Sequence, residues 1–133
     1  VNIINVHITE DNIECLFGSN YDYIIDACDT TKVKVKLIIE CHNRNIKLVS
    51  SMGTANKLDA TKIYITTLDK THSDPLAKKI RHDLGKYKEY MSDVTVVTSS
   101  EKAINNTMLG STAFVPATAG LFITNYIIND VIK

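Results

Sequence analysis

Residues 23–30, which read Tyr-Ile-Ile-Asp-Ala-Cys-Asp-Thr, constrain the fold of this chain more than any other segment. They form a short apolar run that ends abruptly at two carboxylates, Asp26 and Asp29. A run that opens with Tyr and Ile is typical of a strand buried in a parallel sheet. Open α/β sheets bind their ligands beyond the carboxyl ends of such strands. The two closely spaced carboxylates therefore predict a site for magnesium and phosphate at this strand end.

The rest of the chain alternates between strand-like and helix-like patterns. Strands are predicted over residues 1–8, 23–27, 48–50, 62–68 and 93–98, and helices over residues 9–17, 31–45 and 75–84 and from Pro116 onward. The closing helix carries apolar residues on more than one face, so we expect it to pack inside the molecule or against a partner. Its apolar stretch is interrupted by polar residues, and a buried helix is favoured over a membrane span.

Residues 31–45 fit two patterns. Val33, Val35 and Leu37 alternate with lysines, which is a strand period, whereas Lys34, Leu37 and Cys41 also lie at helical spacing. Because the segment is long for a strand, a helix is predicted. Two strands joined by a helix of this length form a βαβ unit in a parallel sheet.

The helix at 75–84 has the clearest boundaries. Asp74 is a good N-cap residue, Pro75 is tolerated at the first helical position, and Gly85 is a common stop. Between them, one face is predicted to pack through apolar side chains at four-residue spacing: Leu76, Ile80 and Leu84.

Composition excludes several classes of protein. The formal net charge is zero, so no overall positive field draws the chain to nucleic acid. The three cysteines form no Cys-x-x-Cys pair, which argues against structural zinc and a disulfide framework and favours a cytoplasmic location. The first residues show no signal peptide and no initiator Met, so we expect the chain to be a piece of a longer protein.

Several short motifs point in one direction. They are Asp-Ala-Cys-Asp-Thr at 26–30, Ser-Ser-Met-Gly-Thr at 50–54, Asn-Lys-Leu-Asp at 56–59, Lys-Thr at 70–71, Asp-Pro-Leu-Ala-Lys at 74–78, Val-Val-Thr-Ser-Ser-Glu at 96–101 and Leu-Gly-Ser-Thr at 109–112. Together they resemble the ThiF/MoeB superfamily, which is related to ubiquitin-activating enzymes, and most of all its tRNA threonylcarbamoyladenosine dehydratase branch. The resemblance runs from about residue 21 to residue 130. It implies a Rossmann-like α/β fold with a mostly parallel sheet and flanking helices.

The resemblance also implies an activity, ATP-dependent activation of a carboxylate. The family adenylates the threonyl carboxylate of a modified tRNA base, and the substrate's own carbamoyl group then attacks it with net loss of water. Implied cofactors are ATP and magnesium, with no zinc expected. Implied partners are tRNA and a second copy of the protein in a homodimer, and a sulfur-transfer protein is a further candidate partner.

Site residues are carried over by matching motifs. Asp29 matches the aspartate that the superfamily uses to bind magnesium-ATP, so the resemblance assigns it the catalytic and metal-binding role. Asp26 and Thr30 are assigned to the nucleotide site beside it. The resemblance assigns the substrate to Gly53, Thr54, Asn56, Lys57, Lys70 and Arg81.

Each assignment has a purely structural alternative. Asp29 could cap the following helix, and Asp26 could hydrogen-bond its own loop. A simple turn explains Gly53 and Asn56 equally well, and Lys70 and Arg81 taken singly are ordinary surface charges. Lys32, Lys34 and Lys36 are interpreted as a solvated helix face rather than a basic edge near the nucleotide. Cys28 is interpreted as a small residue packed under the strand end, not as a nucleophile.

The departures from the family are also informative. The chain contains no Gly-x-Gly-x-x-Gly motif, so the loop that cradles phosphates is missing from these residues. We therefore expect the chain to be a single C-terminal portion, 1–133, of a ThiF-type adenylating domain and to be inactive alone. Two other functions stay open. One is activation of a ubiquitin-like sulfur carrier, although enzymes of that type typically carry two Cys-x-x-Cys pairs, and the other is a non-catalytic dimerisation module.

Overall fold

The computed structural model describes residues 1–104 and 107–133. In chain order its main elements are β1 (Tyr23–Asp26), α1 (Thr31–Asn43), β2 (Lys47–Ser51), β3 (Ile63–Thr67), α2 (Pro75–Leu84), β4 (Thr95–Ser99) and α3 (Phe114–Val131). The strands form one sheet in the order β1-β2-β4-β3, with parallel pairing of β1 to β2 and of β2 to β4. Only β3 is antiparallel, to β4. The predicted α/β fold with a mostly parallel sheet is confirmed.

Successive residues of the two central strands point to opposite faces of the sheet and into two cores. Leu48 and Val96 join α1 and α2 in the larger core, whereas Val49 and Val97 join α3 in the smaller one. The larger core buries Val33, Leu37, Ile38 and Cys41 of α1 with Ala77, Ile80 and Leu84 of α2. The sheet thus has a two-helix face and a one-helix face.

Helix α3 packs through a narrow stripe. Val115, Ala119 and Ile123, four residues apart, are its buried positions. Other large apolar side chains of this helix are partly or largely exposed: Phe114, Leu121, Phe122, Ile128 and Val131. Within the described residues, no helix has the length and apolar character needed to cross a membrane.

The N-terminal prediction is wrong. Residues 1–8 form no strand in the described part of the chain, and Ile3, Ile4 and Val6 are exposed. In the described sheet β1 is an edge strand whose neighbour is β2, and residues 1–8 do not pair with its outer edge. An apolar segment without a partner strand does not form a stable strand. The helix predicted over 9–17 shrinks to a 3₁₀ turn at Ile13–Phe17.

The other boundaries are close to their predictions. Asp74 caps α2 by accepting a hydrogen bond from the Ala77 amide, and Gly85 ends the helix at φ +45°. Ala77 is buried where Leu76 is half-buried, so the packing face is rotated slightly from the predicted one. Helix α3 begins at Phe114, which puts Pro116 in the first turn, where its missing N–H breaks no intrahelical bond.

Candidate functional site

A pocket of about 450 Å³ lies at the carboxyl ends of β1 and β2. The turn after β1, the loop after β2 and the start of α2 form its walls. Lining residues are Ala27, Cys28, Asp29, Ser51 to Lys57, Asp74 to Leu76, Ala103 and Leu109. The volume lies within the range of small-molecule sites, roughly 300–1,000 Å³. The sheet therefore places a pocket where open α/β folds bind ligands.

A buried ion pair lies beneath the turn after β1. Lys34 and Asp26 have fully buried side chains, and the Lys34 Nζ lies 2.9 Å from Asp26 Oδ2. The same ammonium donates to Ser50 Oγ at 3.2 Å and to the Ser51 carbonyl at 2.8 Å. The interpretation of Lys34 as part of a solvated face is wrong, since the side chain points from α1 into the end of the sheet. Lys32, by contrast, is 80% exposed.

Asp26 supports its own turn. Its Oδ2 also accepts a hydrogen bond from Ser50 Oγ at 2.6 Å, and its Oδ1 accepts one from the Cys28 amide at 3.1 Å. The carboxylate is thus used by partners from α1, β2 and the turn. This contact with the loop is the structural alternative that the sequence leaves open for Asp26.

Asp29 has a different environment. It is exposed at the pocket and accepts a long, 3.5 Å hydrogen bond from Thr30 Oγ1. Thr30 is the N-cap residue of α1, and its side chain makes no cap hydrogen bond within the described structure. The described residues hold no cluster of three or more His, Cys, Asp or Glu side chains suited to a metal. A single free carboxylate still fits magnesium, which usually binds one or two carboxylates together with phosphates and water.

A second buried pair holds the opposite wall of the pocket. The Lys57 side chain is 2% exposed, and its Nζ donates to the Gly53 carbonyl at 2.8 Å and lies 3.6 Å from Asp74 Oδ2. Asp74 accepts hydrogen bonds from the amides of Gly53 and Ala77 and from Thr98 Oγ1. Lys57 and Gly53 therefore belong to a connected group that ties the loop after β2 to α2 and β4.

Asn56 closes the pocket at its outer rim. It has a left-handed backbone, φ +56°, which asparagine tolerates better than most residues. Its backbone N–H donates to the Gly110 carbonyl at 2.7 Å, and its backbone carbonyl accepts from the Ile104 N–H at 2.7 Å. Its side-chain Oδ1 accepts a hydrogen bond from the Gly110 backbone N–H at 2.9 Å. We call these three contacts the Asn56 clamp. It fastens the chain after β4 to the loop after β2.

A carboxylate fastens the same two segments a second time. Glu101 accepts hydrogen bonds from the amides of Leu58 and Asp59, at 3.0 and 2.9 Å. Sequence reasoning assigned no role to Glu101, because its partners lie more than forty positions earlier in the chain.

Lys70 and Arg81 lie away from the pocket. The Arg81 guanidinium donates to Thr71 Oγ1 and, at 3.4 Å, to the Leu68 carbonyl, so it braces the 3₁₀ turn at Leu68–Lys70. Lys70 is exposed on that turn. Of the residues assigned by resemblance, the structure gathers Asp29, Gly53, Thr54, Asn56 and Lys57 around one pocket, with Asp26 and Thr30 beside it.

Neither Cys28 nor Cys41 is an activated thiol. Cys28 is exposed rather than packed under the strand end, but desolvation of its thiol and the neighbouring Asp26 raise the pKa of Cys28 to about 11. Cys41 is buried in the larger core, and burial raises the pKa of its thiol to about 12. Both thiols are protonated at neutral pH, which argues against a cysteine nucleophile at this strand end.

Known proteins resemble the chain over nearly all of its length. The tRNA threonylcarbamoyladenosine dehydratase of Bacillus subtilis is 36% identical over 149 aligned residues, which cover 98% of this chain and 58% of that protein. The structure of the Escherichia coli enzyme, TcdA, in complex with ATP superposes with a TM-score of 0.88 at 30% identity, covering 97% of this chain and 55% of TcdA. The structure of TcdA in complex with AMP superposes with a TM-score of 0.87 at 29% identity, covering 97% of this chain and 56% of TcdA. No protein-family model matches the sequence.

The chain spans a little more than half the length of these relatives. Within that span, both the sequence and the fold agree with the resemblance that the motifs indicate. The chain is therefore homologous to the tRNA threonylcarbamoyladenosine dehydratases, the branch of the ThiF/MoeB superfamily to which its motifs point.

Proposed function

We propose that the protein carrying this chain is an ATP-dependent tRNA threonylcarbamoyladenosine dehydratase. The observation that supports this proposal best is the exposed Asp29 carboxylate at a pocket formed by the strand ends, where one buried ion pair lies beneath the turn of Asp29 and a second lies in the opposite wall. The homology to dehydratases, one of which has been solved with ATP and with AMP, favours this reaction over other uses of such a pocket.

The residues of this chain have distinct parts in the proposed reaction. When bound, magnesium-ATP supplies the electrophilic phosphorus that activates the threonyl carboxylate and the positive charge that offsets the triphosphate. Asp29 is the residue that would hold the metal. Thr54 and Asn56, half-buried in the pocket wall, would contact the modified base. Enclosure of the pocket by the Asn56 clamp would limit the access of water, so that ring closure competes with hydrolysis.

The basic residues outside the pocket are proposed as contacts to the tRNA backbone. Lys70 is exposed and available to a phosphate. Arg81 already has partners in Thr71 and Leu68, so its contribution to RNA binding would come through the turn that it braces.

The proposal is tested on the full-length protein with and without Asp29→Ala. Each form is incubated with magnesium-ATP and threonylcarbamoyl-modified tRNA, and the digested nucleosides are weighed by mass spectrometry. We expect the native protein to give a nucleoside lighter by one water and Asp29→Ala to give none. Asp22→Ala, an exposed aspartate just before β1 at the other end of the strand, is the matched control and should keep the activity.

Two other outcomes would contradict the proposal. Transfer of AMP to a small sulfur-carrier protein, with no change in the tRNA, would support the sulfur-carrier alternative. Absence of any ATP-dependent reaction in the native protein would favour a non-catalytic module.

We further propose that residues 1–133, as the C-terminal portion of the domain, do not catalyse the reaction alone. The sequence contains no glycine-rich phosphate loop, so the pocket offers Asp29 but few donors for a triphosphate. With threonylcarbamoyl-modified tRNA present as the acceptor, ATP–pyrophosphate exchange by the isolated chain should be near background, and turnover equal to that of the full-length protein would refute this.

The protein is also proposed to pair with a second copy of itself through α3. Leu121, Ile128 and Val131 are 70, 54 and 66% exposed, which is unusual for a helix that otherwise packs on a sheet. Sedimentation equilibrium should give a dimer for the native protein and a monomer for Leu121→Lys/Ile128→Lys. A native mass that stays monomeric at all concentrations would exclude this pairing.

A further inference from the structure

We propose that Lys34 is a positioning residue for Asp29: its ammonium fixes the turn after β1 so that the Asp29 carboxylate is presented to the metal-nucleotide. This inference rests on the proposed function. It assigns a role to a lysine that does not itself line the pocket and does not contact Asp29.

All three hydrogen-bond donors of the Lys34 ammonium have acceptors. An ammonium has three N–H donors, and here they meet Asp26 Oδ2, Ser50 Oγ and the Ser51 carbonyl at 2.9, 3.2 and 2.8 Å. The side chain has no exposed surface, so none of these bonds competes with water. Such a site leaves the ammonium essentially one position, and it therefore fixes the ends of β1 and β2 relative to α1.

The constraint reaches Asp29 through a short path. Lys34 and Ser50 hold Asp26 Oδ2, while Asp26 Oδ1 holds the Cys28 amide, one residue before Asp29. On its other side, Asp29 is followed by Thr30, the N-cap residue of α1, and α1 is the helix that carries Lys34. The backbone around Asp29 is thus restrained from both directions, although its carboxylate is free to bind a ligand.

A role in stability alone would not require a lysine. Buried ion pairs are often replaced by neutral side chains of similar volume with little loss of stability, because the desolvation cost disappears with the charges. Here, however, the ammonium is carried by α1 and contacts the ends of two strands, and a neutral side chain cannot reproduce these contacts. This difference separates positioning from stability in an experiment.

The informative variants are Lys34→Met and Asp26→Asn/Lys34→Met in the full-length protein. The single variant leaves a buried carboxylate without its cation, whereas the double variant removes both charges and keeps an acceptor for the Cys28 amide. Lys36→Met is the matched control, because Lys36 lies on the same helix and forms a surface pair with Glu40.

The first measurement needs no ligand. Hydrogen–deuterium exchange is followed for the peptide that contains residues 27–30. We expect the amide hydrogens of this peptide to exchange faster in Lys34→Met and in Asp26→Asn/Lys34→Met, and at the native rate in Lys36→Met. The melting temperature of the double variant should be close to that of the native protein. Native exchange in a folded Lys34 variant would overturn the proposal.

The second measurement is the magnesium concentration that gives half-maximal ATP–pyrophosphate exchange in the presence of threonylcarbamoyl-modified tRNA, whose carboxylate accepts the adenylyl group. Outer-shell partners of metal ligands typically affect metal affinity or activity roughly 10- to 100-fold, and we expect a rise of this size in both Lys34 variants. Ser50→Ala, which deletes one acceptor, should give a smaller rise and serves as the test if the Lys34 variants do not fold. A double variant that regains both stability and native magnesium dependence would show a purely structural role. No ATP–pyrophosphate exchange in the native protein would instead refute the proposed function. Failure of the role of Lys34 and failure of the proposed function are therefore distinguishable.

Discussion

Near the carboxyl ends of β1 and β2, two pairs of oppositely charged side chains are buried, whereas at the amino ends of the same strands a charged pair lies at the surface. Lys34 and Asp26 have no exposed side-chain area. Lys47 and Asp130, at the opposite end, are 63 and 40% exposed although they approach to 2.6 Å. Tyr23 also donates to Asp130 at that end.

The comparison shows that a short distance between charges does not define their role. An exposed pair is screened by solvent and can rearrange, so it does little to fix the backbone. A buried pair has a large desolvation cost and persists only if its hydrogen bonds are nearly complete, which makes its geometry rigid. In this chain the rigid pairs surround the pocket and the loose pair lies away from it.

The largest expected effect comes from breaking the first buried pair. Asp26→Ala leaves the Lys34 ammonium buried without its carboxylate, and such a loss costs roughly 3–5 kcal/mol of unfolding free energy. Urea denaturation of the native and variant proteins measures it. A loss no larger than that caused by a surface substitution would mean that the pair is hydrated, and the contrast between the two ends would fail.

The chemistry of Cys28 probes the same end of the sheet. Its pKa of about 11 means that the thiolate is scarce at pH 8, so alkylation by iodoacetamide should be roughly 100-fold slower than for a thiol with an ordinary pKa. The rate should climb as the pH is raised towards 11. The measurement is made in a Cys15→Ser background, since Cys15 is also exposed. Rapid alkylation at pH 7 would contradict this environment.

Asp74→Ala is expected to have a moderate effect. It removes the cap of α2 and leaves the Thr98 hydroxyl and the Gly53 amide without their acceptor. Because Asp74 lines the pocket, water can fill the space that its carboxylate leaves, and Lys57, 3.6 Å from Asp74, keeps its bond to the Gly53 carbonyl, so we expect a loss of roughly 1–3 kcal/mol, less than for Asp26→Ala. Asp74→Asn, which keeps an acceptor oxygen, should recover part of the loss in the same urea titration. Equal losses in the two variants would point to the charge facing Lys57 rather than to the hydrogen bonds.

The smallest effect is expected for Lys47→Gln. The pair with Asp130 is open to solvent, so any change in the urea midpoint should be slight and should vanish at high salt. A salt-independent loss comparable to that of Asp26→Ala would mean that both ends of the sheet are equally rigid.

Local signals account for the parts of the fold that the sequence predicts well. Asp74, Pro75 and Gly85 mark the ends of α2 through hydrogen bonds and backbone angles that involve a few neighbouring residues. The apolar run that begins at Tyr23 is typical of a parallel strand, and β1 does pair in parallel with β2, although as the edge strand it leaves Ile25 53% exposed instead of buried. The carboxylates at its end follow from the same run, so the position of the pocket is also predictable.

Contacts between distant segments account for the errors. The apolar residues of 1–8 satisfy a strand pattern, but a strand also needs a neighbour, and pairing is not encoded locally. Lys34 shares helical spacing with Leu37 and Cys41, a sign that it faces inward, yet its burial depends on Asp26 and Ser50 in two strands. The Asn56 clamp joins residues about fifty positions apart, and a contact over that separation cannot be predicted from a local repeat of apolar and polar residues.

The Asn56 clamp and Glu101 together have a consequence for how this protein can evolve. They fasten both ends of one connection, Glu101 at its start and Gly110 at its finish, to the loop that walls the pocket. Residues inserted between these two anchors would lengthen a tethered loop, and a doubling of loop length costs only about 0.6 kcal/mol. Insertions and deletions in this connection should therefore be tolerated more readily than substitutions of Asn56, so that new substrate contacts could arise there without disturbing the pocket floor.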